Sequence, residues 1–440
     1  MKHADQIIHA KWLITCDKKN ETLENHGLVI EEGNIIAILP SAEINLLYTS
    51  KTIEHYMDHA IIPGFINSHT HLAMNFFRGL ADDLVLLDWL NNHIWPAEKK
   101  FLNDEFVYDA SLFAMAEMIR SGTTCFNDMF FFMPATARAA EHACLRANIS
   151  IHIINFPTKW ANGAEEEFSK GLAFYDEFKN SKHVNMTFAA HSLYTVTDEK
   201  VLLRMRDLAE DLNLQINMHI QEPKDEIDIV YKQSQLRPLQ RLHQLGLLTP
   251  RLIAIHMLHA NEADLNLLAQ CQSNIVHCPE SNMKLASGVC SVTELLARNV
   301  NVALGTDGAA SNNDLDMLGE MRTAAFLAKH TTGNPTSLPA QQVLQMATLN
   351  GAKALAIDHI TGSLSVGKAA DFVAINLDEI ETLPSYHPTS QIVYAASRHQ
   401  VTDVWVNGKQ LLKNRKLLTL DEQELKNKAK YWGKKILAQD

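Results

Sequence analysis

Long hydrophobic runs are missing from this chain of 440 residues. No apolar stretch approaches the roughly 20 residues that a membrane-spanning helix needs. The first residues, MKHADQIIHAKWLITCDKK, show neither the long apolar core nor the small-residue cleavage site of a signal peptide. We therefore expect a protein without membrane partners that is not secreted.

Cysteine is also sparse. The six cysteines are scattered along the chain and form no C-x-x-C pair. This pattern is typical of reduced thiols, and it favours a cytoplasmic protein over a disulfide-stabilised one.

Positive charge is in short supply, with 39 lysines and arginines against 51 acidic residues and a net charge of −12. No lysine- or arginine-rich run is present, so we expect no nucleic-acid or anionic-membrane partner. A small molecule is the partner that this composition leaves open.

Two stretches at opposite ends of the chain are typical of short strands and tight turns. In residues 1–60, Gly33-Asn34 separates the apolar runs GLVIEE and IIAILP; in residues 370–420, Asn407-Gly408 follows VTDVWV. Both dipeptides predict hairpin turns. Because neither stretch can bury a core alone, we expect residues 1–62 and 367–440 to form one small β-sandwich domain with a C-terminal helix.

The middle of the chain alternates apolar strands with helical patterns, one of which begins at Thr197 as a candidate N-cap. Eight such strands predict an α/β fold with a (β/α)8 TIM-like barrel over residues 63–366. An open doubly wound sheet is less favoured, because no G-x-G-x-x-G motif follows the first strand. The candidate strands are AIIPGFINSHTH, TTCFND, ISIHIINF, VNMTFAAHS, LQINMHI, RLIAIHML, NIVHCP and VNVALGTD.

Ionisable side chains end several of these strands. His69 and His71 end the first strand, His219 the fifth and Asp307 the eighth. The C-terminal ends of barrel strands converge at one mouth, where active sites lie. Residues i and i+2 of a strand face the same side, so the first two imidazoles can share one site. Three imidazoles and one carboxylate suit zinc, and iron or nickel less specifically.

Further ionisable residues lie near the same mouth. Glu222 follows His219 just beyond the fifth strand, His256 ends the sixth strand, and His191 ends the fourth. A solvated loop carboxylate and a buried core histidine are the ordinary interpretations of Glu222 and His256. Their position beside the metal ligands favours roles in proton transfer instead. The fourth strand has no lysine that could bridge two ions, so we expect one metal ion per subunit.

The motifs resemble those of the amidohydrolase superfamily, and within it the 5-methylthioadenosine/S-adenosylhomocysteine deaminase family. The resemblance covers essentially the whole chain. HTH marks the superfamily, whereas RGLADDL, WPAE and TDGAASNN narrow it to the branch of purine deaminases and triazine hydrolases. The remaining matching motifs are PGFINSHTH, SGTTCFNDM, AAHSLYTV, MHIQE and HCPESNMKLASG.

The resemblance implies a ligand set and a catalytic set. The implied metal ligands are His69, His71, His219 and Asp307, and the implied catalytic residues are Glu222, His256 and Asp307. Asp307 would take a proton from the attacking water, and Glu222 would deliver one to N1 of the purine. His256 would stabilise the charge that develops on the oxygen at C6.

Substrate contacts follow from the same resemblance. Glu98, in WPAEKK, matches a carboxylate that holds ribose hydroxyls, and His191 matches a histidine that contacts the purine. Glu222 also touches the base, and Trp95 is a further candidate contact. The implied reaction is zinc-dependent hydrolytic deamination of 5′-methylthioadenosine, S-adenosylhomocysteine or both, giving the inosine analogue and ammonia. Relatives of this kind often pair, so we expect a homo-oligomer.

Two alternatives stay open. One is a related amidohydrolase that acts on guanine, a pyrimidine or a triazine, against which a ribose contact by Glu98 argues. The other is a barrel that binds metal without turnover, against which the presence of Glu222 and His256 argues.

The loop after the third strand, FPTKWANGAEEEF, bears on the 5′ end of the substrate. It offers Lys159 but no arginine, followed by the acidic run Glu165–Glu167. Lysine cannot make the two-pronged contact with a carboxylate that arginine makes, and Trp160 could cover a methylthio group. We therefore expect methylthioadenosine to be the better substrate.

Overall fold

The computed structural model describes residues 1–438, which fold into two compact units. The first unit comprises Met1–Asn67, Ala116–Cys125 and Asp316–Asp421. The second comprises Ser68–Met115, Phe126–Leu315 and the chain from Glu422 onwards. The domain boundaries expected from the sequence, after residues 62 and 366, remain a proposal.

An eight-stranded parallel sheet forms the predicted barrel, with neighbouring strands in chain order. The barrel closes where the backbone N–H of Asp307, just beyond the last strand, donates to the carbonyl of His69 on the first strand at 3.0 Å. The prediction of a (β/α)8 barrel is confirmed. The strands are Phe65–Thr70, Thr123–Asp128, Arg146–Ile153, Val184–Ser192, Ile216–Ile220, Leu252–His256, Asn274–His277 and Val302–Leu304.

Helices separate the strands, as the alternating pattern predicts. The expectation that Thr197 caps the helix Glu199–Asp211 is wrong: Asp198 is the N-cap, and its carboxylate accepts the N–H of Lys200 at 2.9 Å. The α-helices are Ser41–Leu47, Leu86–Trp89, Trp95–Phe101, Asp104–Arg120, Met133–Ala143, Ala164–Phe178, Glu199–Asp211, Asp225–Ser234, Pro238–Gln244, Glu262–Cys271, Pro279–Lys284, Val292–Ala297, Ala309–Asn312, Met317–Thr332, Ala340–Met346, Leu349–Ala354, Pro388–Tyr394 and Glu422–Leu437. Leu72–Phe77 and Arg398–Gln400 are 3-10 helices, and Leu90–Ile94 is a π-helical turn.

A buried polar network occupies part of the barrel interior. The Asn217 amide donates to the hydroxyl of Thr187 at 2.7 Å and accepts a hydrogen bond from Asn127 at 3.1 Å. Asn127 also donates to the carbonyl of Ser68 at 2.9 Å. Buried polar groups are costly unless they are hydrogen-bonded, so this network holds its strands in one arrangement. Ser68 directly precedes His69, and the network therefore anchors the strand that begins the mouth of the barrel.

Strands from both chain ends lie in one mixed sheet of eight, which confirms the expected pairing of the two terminal stretches. The turn residues Glu32 and Gly33, and likewise Asn407 and Gly408, have positive φ, as type I′ hairpins require. The first turn thus lies one residue earlier than the Gly33-Asn34 pair predicted. In spatial order the strands are Lys416–Leu417, Lys409–Lys413, Val401–Val406, Phe372–Asn376, Thr52–Pro63, Gln6–Ile14, Thr22–Glu31 and Asn34–Pro40. Lys2–His3 and Tyr48–Thr49 form a separate pair.

Apolar side chains fill one face of this sheet; they include Ile8, Leu28, Ile30, Phe372 and Trp405. The rings of Phe372 and Trp405 stack with their centroids 4.5 Å apart. Within residues 1–438, no helix is both long and apolar enough to span a bilayer.

Within the second unit, the C-terminal helix Glu422–Leu437 packs through Trp432, which is 3% exposed. Its indole N–H donates to Asp109 at 2.9 Å, and its ring lies 5.0 Å from that of Phe106.

We predict that Trp432→Ala destabilises the protein by about 3–5 kcal/mol through the cavity it leaves. Trp432→Phe should cost less, because most of the packing remains. Urea unfolding followed by circular dichroism measures both.

The neighbouring Tyr431, 45% exposed, provides the matched control. Tyr431→Ala should shift the unfolding midpoint little. Equal shifts for the two alanine variants would show that the helix is not anchored through Trp432.

Candidate functional site

Four of the predicted residues meet at the C-terminal end of the barrel. Nε2 of His219 lies 3.2 Å from Nε2 of His69. Oδ1 of Asp307 lies 3.4 Å from Nε2 of His69 and 3.3 Å from Nε2 of His71. All four side chains are buried or nearly so. The structure therefore brings the expected ligand set together around one point.

Backbone carbonyls fix the orientation of two of the imidazoles. Nδ1 of His71 lies 2.6 Å from the carbonyl oxygen of Met129, and Nδ1 of His219 lies 2.7 Å from that of His191. A carbonyl only accepts, so each Nδ1 carries the proton and each Nε2 keeps its lone pair. This is the support that metal-binding histidines ordinarily have.

The charge states also suit a cation. Burial lowers the pKa of His69 to about 4, and burial likewise lowers the pKa values of His71 and His219. Burial alone would raise the pKa of Asp307, but the neighbouring imidazoles of His69 and His71 hold it well below its usual range. Three neutral imidazoles and one carboxylate are the ligand forms that a divalent metal ion requires. The residues present therefore fit such an ion.

Two serines that sequence reasoning missed hold the Asp307 carboxylate in place. The hydroxyls of Ser281 and Ser311 donate to its Oδ2 at 2.7 and 3.0 Å, while the N–H of Gly308 donates to its Oδ1 at 2.8 Å. Asp307 itself has a φ of 64°, an uncommon conformation for a non-glycine residue. The only sequence signal was that both serines lie in short segments that follow barrel strands.

Glu222 and His256 face each other beside this set. Oε1 of Glu222 lies 3.6 Å from Nε2 of His256, and their polar atoms lie within 4.8 Å of a carboxylate oxygen of Asp307. Nδ1 of His256 donates to the side-chain oxygen of Asn282 at 2.9 Å, which leaves its Nε2 as an acceptor. Burial, with a smaller contribution from Asp307, raises the pKa of Glu222 to about 8. Glu222 therefore holds a transferable proton at neutral pH.

A cavity of about 430 Å³ opens above these groups. Its wall is mostly aromatic and aliphatic, and it includes Leu86, Trp89, Leu90, Trp95, Leu102, Phe130, Phe156 and Leu285. Glu98 also lines the cavity, although the side chain is only 7% exposed. Burial raises the pKa of the Glu98 carboxyl to about 8, and no side chain among residues 1–438 hydrogen-bonds to it. The carboxyl group is thus available to a ligand.

The remaining predicted contacts divide into two groups. His191 and Trp95 line the cavity, and the His191 ring lies 4.8 Å from that of His219. Trp160 does not line it. Its ring packs 5.1 Å from Phe132 and lies under the ammonium of Lys170. The structure therefore does not bring Trp160 to the site, because the ring packs against Phe132 and Lys170 instead.

Comparisons with known proteins agree with the motifs. A sequence profile described as the amidohydrolase family matches residues 60–411. The 5-methylthioadenosine/S-adenosylhomocysteine deaminase of Saccharophagus degradans is 43% identical, over 99% of this chain and 98% of its own length. The 5′-deoxyadenosine deaminase of Methanosarcina acetivorans is 38% identical over 99% of each chain. The crystal structure of an adenosine deaminase from Xanthomonas campestris with bound zinc has a TM-score of 0.98 and 41% identity, over 99% of both chains. This chain belongs to the amidohydrolase family.

Proposed function

We propose that this protein is a zinc-dependent hydrolase that deaminates an adenine nucleoside thioether to the inosine analogue and ammonia. The observation that carries the proposal is the placement of Glu222 and His256 against the three-histidine, one-aspartate set at the base of an apolar cavity. The names of the similar enzymes from Saccharophagus and Methanosarcina support an adenine nucleoside as the substrate.

The metal would be held by His69, His71, His219 and Asp307. When bound, a divalent ion lowers the pKa of water from 15.7 toward about 7 and so provides a nucleophile at neutral pH. Zinc suits this ligand set, and the similar protein from Xanthomonas was crystallised with it. We propose one ion per subunit, because the fourth strand ends in His191 and offers no bridging lysine. Iron and nickel remain alternatives.

The side chains of the site can carry the proton transfers of the reaction. The protonated Glu222 donates to N1 of the purine, which makes C6 more electrophilic. Nε2 of His256 accepts a hydrogen bond from the attacking water and orients it toward C6. Asp307, which is ionised, accepts the proton of that water. The C6–N bond then breaks: Asp307 returns its proton to the amino group, which leaves as ammonia. The C6 hydroxyl, hydrogen-bonded to Nε2 of His256, gives its proton to Glu222 as it becomes the carbonyl of the product.

Substrate recognition would use polar and aromatic side chains of the cavity wall. Glu98 would bind the ribose hydroxyls through its carboxyl group, which has no protein partner. His191 would contact the purine, and Trp95 would cover the nucleoside with its ring.

Two other functions are distinguished by one experiment. A guanine, pyrimidine or triazine hydrolase would leave the buried Glu98 carboxyl without a partner, and a non-catalytic metal binder would have no use for the protonated Glu222. A panel of these substrates is incubated with metal-replete protein, and ammonia release and the loss of adenine absorbance are measured. Turnover of adenine nucleosides, with no turnover of the other substrates, supports the proposal.

Two expectations, on the cellular compartment and on the oligomeric state, accompany this function. Within residues 1–438, no disulfide bond joins any of the six cysteines, and four of them are buried. This supports a reducing compartment such as the cytoplasm. A homo-oligomer remains a prediction from the resemblance alone.

The metal ligands and the proton donor should respond differently to substitution. His219→Ala removes a ligand and should lose the metal, and chelation of the wild-type protein should abolish activity until zinc is restored. Glu222→Gln keeps the size of the side chain but loses the transferable proton. It should retain one equivalent of metal while kcat falls by about 10²–10⁴. Elemental analysis and steady-state assays measure these effects; equal metal loss in both variants would contradict the separation of roles.

Removing the Glu98 carboxyl should affect ribosides selectively. We predict that Glu98→Ala raises KM for the nucleoside by about 10- to 100-fold, because the hydrogen bonds to two ribose hydroxyls, each worth about 0.5–1.5 kcal/mol, are lost. Deamination of the free base adenine should change little, because adenine has no ribose to bind. Glu98→Gln, which keeps one acceptor, serves as the control. An unchanged preference for ribosides in Glu98→Ala would remove the residue from the binding site.

The polarity of the cavity should favour a neutral 5′ group. Glu165 and Glu166 pair with Arg204 and Lys170, and Glu167 is buried against a backbone N–H. None of the three lines the cavity, so these glutamates would not repel a carboxylate on the substrate. The lining includes the lysines Lys99 and Lys159 but no arginine, and both lysines are exposed to solvent.

We therefore predict a higher kcat/KM for 5′-methylthioadenosine than for S-adenosylhomocysteine. Exposed ammonium groups are strongly hydrated and gain little from a carboxylate at the cavity mouth, whereas the apolar wall can cover a methylthio group. Comparing the two specificity constants at 0.15 M salt tests this. Equal or reversed constants would show that the lysines recognise the carboxylate.

A further inference from the structure

The segment of residues 78–102, here called the wall segment, forms one side of the cavity. It begins with an exposed stretch that turns at Gly79 (φ 68°) and Asp83 (φ 62°). It then presents Leu86, Trp89 and Glu98 to the cavity. The position of Glu98 relative to the catalytic groups therefore depends on how this segment is held.

Three polar side chains close a triangle at the start of the wall segment. Nζ of Lys284 donates to Oδ1 of Asp82 at 2.7 Å and also to the side-chain oxygen of Asn313. The Asn313 amide donates to Oδ2 of Asp82 at 3.1 Å. Each member thus contacts the other two, which makes the arrangement a network rather than a single surface ion pair. We call these three residues the anchoring triad.

The anchoring triad is continuous with the elements that hold the catalytic groups. Lys284 ends the helix Pro279–Lys284, in which Ser281 donates to Asp307 and Asn282 accepts from His256. Asn313 directly follows the helix Ala309–Asn312, in which Ser311 donates to the same carboxylate. The segment that carries Glu98 is therefore tied to the two short helices that orient Asp307 and His256.

We propose that Asp82, Lys284 and Asn313 are positioning residues, which set the distance between the wall segment and the proton-transfer groups when the substrate is bound. The proposal rests on the proposed function and deepens it, because it states how the ribose-binding wall is aligned with the reacting end of the cavity. The side chains of Asp82 and Lys284 are 36% and 23% exposed, so water competes for the contacts of the triad.

Kinetics of single variants test this positioning role. Asp82→Asn and Lys284→Met should each raise KM for the nucleoside by about two- to fivefold, the range expected for a partly exposed ion pair, with kcat and metal content unchanged. Lys284→Arg should restore most of the affinity because it keeps the ion pair. The double variant should be no worse than either single one, since each already breaks the triad.

The pair Arg298–Glu262 supplies a matched control, because it has the same 2.7 Å separation and a similarly covered cation, 26% exposed, away from the cavity lining. Glu262→Gln should leave KM unchanged. Hydrogen exchange of residues 78–102, measured on the metal-loaded protein without substrate, gives a readout that does not need turnover. Exchange should be faster in Asp82→Asn and Lys284→Met and unchanged in Glu262→Gln.

Wild-type exchange rates in the two triad variants would overturn the proposal, and so would a loss carried by kcat with KM unchanged. Absence of turnover in the wild-type protein would instead overturn the proposed function. The exchange rates would then still decide whether the anchoring triad holds the wall segment.

Discussion

Electron-rich atoms crowd together at the mouth of the barrel, and the rest of the site depends on this crowding. Two imidazole Nε2 atoms lie 3.2 Å apart, and a carboxylate oxygen lies within 3.4 Å of one of them. Buried lone pairs this close are unfavourable unless a cation lies between them. The backbone of the site is also strained, because Asp307 and His256 both have positive φ. Folded proteins concentrate such local strain at functional sites.

Burial in the same apolar cavity places two neighbouring carboxyl groups in opposite protonation states. Glu222 has few polar partners, and its pKa is raised to about 8. Asp307 is equally buried, but its histidine neighbours and its hydroxyl donors keep it ionised. One fold thus provides an acid and a base a few ångströms apart at neutral pH. Environments that push the pKa values of two groups apart are a general way to assign acid and base roles.

The barrel, and the meeting of four ionisable side chains at its mouth, could be predicted from the sequence because both follow from regular periodicity. A strand alternates its faces every two residues, so His69 and His71 had to share one face, and parallel strand ends had to share one edge. Glu98 was identified only through the resemblance, since a carboxylate at the start of a helix is ordinarily solvated. Ser281 and Asn282 were missed because a short helix of six residues has no periodic pattern that fixes where its side chains point. The direction of Trp160 depended on loop conformation, for which the sequence carries no comparable rule.

That short helix, Pro279–Lys284, also explains why the site acts as a unit. Ser281 donates to the carboxylate of Asp307, Asn282 fixes the tautomer of His256, and Lys284 donates to Asp82 in the segment that carries Glu98. A shift of the helix by a fraction of an ångström would therefore displace Asp307, His256 and Glu98 together. Catalysis by well-oriented groups falls steeply with small misplacements. Placing three contacts on one rigid turn makes their relative positions depend on a single element instead of on three independent loops.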